Sequence, residues 1–134
     1  MDYKVIPFEQ RIKENIRSYS LENLYALDVL TEYCKAFCAV ADVAILITER
    51  HGEKIVSVGG FAGFTPDVVG EPGRKVRVYG RTIAHLYAET GSVPEEKRQA
   101  VERMLDGFAA MLSHWGEETY LHTETAIYVD ELEQ

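Results

Sequence analysis

After Pro94 no proline interrupts the chain before Gln134, and this stretch constrains the fold more than any other feature. Pro94 is a favoured first helical residue, and Glu95 and Glu96 behind it suit the positive end of a helix dipole. Val101, Leu105, Phe108, Leu112 and Trp115 follow at spacings of four, three, four and three, which predicts a helix with one core-facing seam. Beyond Trp115 the seam thins. Gly116 interrupts it, and Thr119, His122, Ala126 and Val129 occupy its next positions. One helix over the whole stretch would span roughly 60 Å, more than a small domain covers alone. Two solutions follow: a bend near Gly116, or an extension over 116–134 that pairs with a second copy. The alternation in "TAIYV" also allows a short strand there.

The rest of the chain divides into two blocks. From Phe8 to Ala41 the pattern is helical: Phe8, Ile12 and Ile16 recur every four residues. After Ser20, an N-cap or kink, Leu24, Leu27, Leu30, Cys34 and Phe37 form an apolar stripe. Residues 1–19 thus form an N-terminal helical extension. From Val43 to Glu89 the character is that of strands. "VAILIT" is a continuous run of branched residues, "ERHGE" supplies a turn and "KIVSV" returns. The glycine-rich stretch "VSVGGFAGFTPDVVGEPG" comes next, and "RKVRVYGRTIAHLYAE" predicts a second hairpin turning at Tyr79-Gly80. At 134 residues the chain is one domain, 1–134. The expected class is α+β: an antiparallel sheet with the N- and C-terminal helices packed on one face, and a loop free to fold over the other.

Two segments carry a family resemblance. "AILITERHGEKIVSVGGF" resembles the first hairpin of GAF- and PAS-type sensory domains. "GRTIAHLYAETGSVPEEKRQAVERMLDGFAAML" is similar to the closing strand and final helix of GAF-like domains, including the PocR-type sensory domains of bacterial regulators. The resemblance covers roughly residues 21–115. It implies a regulatory input domain, dimeric, that binds a small molecule and signals along its terminal helices to an output domain or partner protein. The same element order also fits a protein-interaction scaffold of the roadblock/profilin type.

Composition narrows the partners. With a net charge of −8, a nucleic-acid surface of clustered Lys and Arg is not expected. No apolar run reaches membrane-spanning length, and "MDYKVIPFEQRIKE" lacks the apolar core of a signal peptide. Cys34 and Cys38 are the only cysteines, so the natural setting is a reducing cytoplasm. They sit four apart on one helix face, in a spacing that is not the redox Cys-x-x-Cys. No Cys/His pair stands nearby to complete a metal site, so both are expected in the core and no cofactor is implied. No catalytic motif is present, and the expectation is a protein that is not an enzyme.

The candidate ligand-binding residues are Phe61, Phe64, Ile83, His85 and Tyr87. The glycine-rich stretch opens no helix, so a phosphate loop is excluded. Phe61 and Phe64 either close as a lid over a pocket or plug the open sheet face. In a hairpin with a two-residue turn, Val76 and Val78 share a face with Ile83, His85 and Tyr87. On a pocket-facing surface His85 and Tyr87 would orient a ligand; at the sheet rim, His85 would bond a backbone carbonyl instead.

Overall fold

The computed structural model describes residues 6–133; residues 1–5 of the N-terminal extension and Gln134 lie outside them. The fold is α+β, a four-stranded antiparallel sheet with helices on one face. The helical block is three pieces: α1 (Phe8–Asn15) with a 3-10 turn (Ile16–Ser18), α2 (Leu21–Leu24) and α3 (Leu27–Ala41). Ser20 caps α2, its backbone and side chain both bonded to the Asn23 amide oxygen. Asp42, in the left-handed region at φ 57°, ends α3.

The strands are β1 (Ala44–Glu49), β2 (Lys54–Val58), β3 (Arg74–Val78) and β4 (Arg81–Glu89), in the order β2-β1-β4-β3. Both expected hairpins form. Glu49 fastens the first turn: its carboxylate accepts from the N–H groups of His51 and Glu53. The second turns at Tyr79 and Gly80, both with positive φ, the pairing a twisted two-residue turn requires.

The helix α4 (Glu95–Leu132) is continuous over 38 residues, about 57 Å. It neither bends into a new element at Gly116 nor yields a strand at "TAIYV". Gly116 is buried because the helix presses there on Tyr25 and Val78. A Cβ on it would stand 2.5 Å from the Tyr25 hydroxyl and 2.6 Å from a Val78 methyl. The C-terminal half of α4 is covered within the same chain, by α1. Phe8 and Tyr128 meet at 5.3 Å, the buried Tyr120 hydroxyl donates to the Ile12 carbonyl at 2.7 Å, and Arg11 pairs with Glu131. Glu124, only 2 % exposed, accepts from Asn15 and Tyr19 and lies near Arg11. The expectation that the extension lacks partners in its own chain is therefore corrected: each terminal extension covers the other.

The main core lies between the sheet and these helices. Ile45, Ile47, Val56, Val76, Val78 and Leu86 meet Leu24, Leu30, Cys34, Leu105, Phe108 and Leu112 there. Among the described residues no helix is long and apolar enough to cross a membrane.

Candidate functional site

One irregularity in β4 decides which residues face the loop. Val76 pairs with Ala84 but Arg77 pairs with Thr82, so Ile83 is an extra residue in the ladder. Ile83 and Ala84 consequently both enter the main core, beside Val76 and Val78. The face expected for Val76, Val78, Ile83, His85 and Tyr87 together is thus corrected. His85 and Tyr87 lie on the opposite, outer face, where their cross-strand neighbours are Lys75, Thr48 and Leu46. Simple alternation could not anticipate a one-residue bulge, which flips every side chain beyond it.

On that outer face the loop 59–73 is laid down as a cover. Phe61 and Tyr87 pack with Leu46 in a second small core, joined by Phe64 and Ala44. The rings of Phe61, Phe64 and Tyr87 meet edge to face, each successive pair at 5.4 Å. Polar bonds fasten the same cover. The Tyr87 hydroxyl donates to the Glu71 carbonyl at 2.7 Å, His85 Nδ1 lies 2.8 Å from the Pro72 carbonyl, and Lys54 Nζ bonds the Phe61 carbonyl. A carbonyl only accepts, so Nδ1 carries a proton and donates it to Pro72. Burial, helped by Asp67 and Glu71, pushes the Tyr87 phenol above its ordinary value, which keeps it a donor.

The two ends of the loop demand glycine. Gly59 has φ +99°, and a Cβ there would meet that of Ala44 at 2.4 Å. Gly73 has φ +63°, and its Cβ would stand 2.6 Å from the Leu86 carbonyl. Gly60 and Gly63, within the loop, stand in open space.

His85 therefore takes part in two environments. Inward from the rim it anchors the loop at Pro72. At the rim it borders an open groove of about 360 Å³ lined also by Arg50, His51, Val68, Lys75, Arg81 and Thr82. No family model, curated protein or solved structure gives a significant match to this chain.

The cysteines lie elsewhere. Cys34 is fully buried under the sheet and Cys38 is half-buried. Burial, and then Cys38, push the Cys34 thiol up to about 12, so it is an inert core thiol. Among the described residues, no three His, Cys, Asp or Glu side chains gather as a metal site. A shallow apolar depression runs along the solvent side of α3, past Leu27, Val29, Tyr33 and Ala36. Sequence reasoning missed the groove's cations, because Arg50, Lys75 and Arg81 come from three separate turns and strands. Their one shared signal is position: each lies at or beside a hairpin.

Proposed function

We propose that this chain is a cytoplasmic, non-catalytic sensory or regulatory domain. It binds a small molecule beside His85 and passes the change to its terminal helices, acting as a homodimer. The observation that carries this reading is the construction of β4. Its outer residues His85 and Tyr87 hold the covering loop, while its inner residues Ile83, Ala84 and Leu86 pack in the core shared with α4. A ligand that shifts the loop thus acts on β4, which pairs with β3, the strand the long helix rests upon. The resemblance to GAF- and PAS-type domains supports the same reading. The pocket it employs lies at the rim rather than beneath the loop, whose underside Phe61 and Phe64 fill. For the dimer, exposed Met104 and Met111 flank Gly107 on the free side of α4, a surface on which a second helix can pack closely.

A thermal-shift screen of charged and neutral small molecules tests it. A specific binder raises the melting temperature with the logarithm of its concentration, and His85→Ala weakens that response. A screen without any binder contradicts the reading.

A second reading, an interaction scaffold of the roadblock/profilin type, draws on two observations. The outer face is already filled by Leu46, Phe61 and Tyr87, and Val29 and Tyr33 are exposed on α3 at 43% and 54%. It predicts no small-molecule binder and a partner protein seated on α3.

A further inference from the structure

We infer that the groove beside His85 takes a small ligand carrying at least two adjacent negative charges, either a phosphate group or a pair of carboxylates. The inference rests on the ligand-binding reading above and assigns its chemistry.

Charge is segregated at this end of the molecule. The chain holds 22 Asp and Glu against 14 Lys and Arg. Yet the groove presents Arg50, Lys75 and Arg81 with His51 and His85, and no carboxylate among the described residues that line it. A neighbouring groove shares Arg81 and Thr82 and adds Lys13 and Arg17, again without a carboxylate among its described lining residues. A concave surface of one sign concentrates the field that draws in an oppositely charged ligand.

Three other arginines of the fold are held by carboxylates. Arg11 is paired with Glu124 and Glu131, Arg74 with Glu102 and Asp106, and Arg98 with Glu95. Arg50, Lys75 and Arg81 have no ion pair among the described residues. Like the Nε atoms of the ion-paired Arg11 and Arg98, one Nη of Arg50 and the Nε of Arg81 are shielded from solvent without a hydrogen-bond partner among the described residues. A cation with no carboxylate partner gains charge-assisted hydrogen bonds from an incoming oxyanion. The neighbouring carboxylate does not serve them. Glu49 is engaged by the N–H groups of His51 and Glu53 and lies 3.0 Å from the His51 ring. Guanidinium groups match the paired oxygens of phosphate and carboxylate, and the Thr82 hydroxyl adds a neutral donor. The groove, open to solvent and about 360 Å³, has room for a small anion.

Calorimetric titration of the full chain with inorganic pyrophosphate, and separately with citrate, tests the assignment. One variant carries Arg50→Gln with Arg81→Gln. A control carries Lys97→Gln with Arg103→Gln, removing the same charge from α4. The expected result is saturable binding of one anion per chain by the wild type and the control, weakened about tenfold or more in the groove variant. Lys75→Gln, at an exposed position, should weaken binding too and serves if the double variant does not fold. Pyrophosphate alone binding assigns a phosphate ligand, and citrate alone a polycarboxylate. Equal weakening in both double variants, or no binding of either anion, overturns the assignment. If a neutral compound binds and is indifferent to Arg50→Gln with Arg81→Gln, the charge assignment falls while the ligand-binding reading stands.

Discussion

His85 and Tyr87, two positions apart on the outer face of β4, hold the consecutive carbonyls of Pro72 and Glu71. The strand thereby grips the returning end of the loop just before Gly73 turns it into β3. Tyr87→Phe keeps the ring against Phe64 and removes one of the two grips. It should cost about 1 kcal/mol of stability and raise hydrogen exchange across residues 59–73. Unchanged exchange in that segment would show that the aromatic cluster alone holds the cover.

Two glycines of α4 should respond to alanine with opposite sign. Gly107 has nothing within 4 Å of a built Cβ, whereas Gly116 faces the Tyr25 hydroxyl and Val78. Gly107→Ala should stabilise by roughly 0.5–1 kcal/mol through helix propensity. Gly116→Ala should destabilise by about 1–3 kcal/mol, since the new methyl forces Tyr25 and β3 away from the helix. Denaturant titration of both variants decides the matter, and two changes of the same sign would contradict the packing described.

Gly116 also shows where the sequence misleads. A glycine in a thinning seam reads as a bend, but close approach of a neighbouring element is an equally good reason for it, visible only once Tyr25 and Val78 are placed. The seam from Val101 to Trp115, both hairpins and the Tyr79-Gly80 turn were legible, because local periodicity and turn chemistry determine them. The Ile83 bulge was not, and with it went the face assigned to His85 and Tyr87. The cover by Phe61 and Phe64 was legible only as one of two alternatives, since the number of apolar residues needed to fill the outer face depends on how the loop closes. The cations of the groove were invisible for a different reason. They are scattered through an acidic chain, and only the sheet register brings Lys75 beside His85.

The tyrosines set an alkaline limit on stability. Burial, followed by Glu124, pushes the Tyr120 phenol from an ordinary 10.0 up to about 12. Burial raises Tyr19 and Tyr25 further, Tyr19 with help from its bond to Glu124. These groups keep their protons longer in the folded chain than in the unfolded one. Their contribution is therefore fully present below the unfolded value of 10.0 and is lost as pH rises toward 12 and above. Thermal melts across that range should show a falling melting temperature, with release of α1 from α4 read as loss of the Tyr19 and Tyr120 environments. A melting temperature independent of pH up to 12 would contradict this account of the junction.

Ligand occupancy beside His85 is proposed to reach the terminal helices, and hydrogen exchange with and without pyrophosphate reads this out. The predicted result is protection at residues 50–53, 71–75 and 81–85 together with altered exchange in α1 and the C-terminal half of α4. Protection confined to the solvent side of α3, or binding that leaves both terminal helices unchanged, would contradict it.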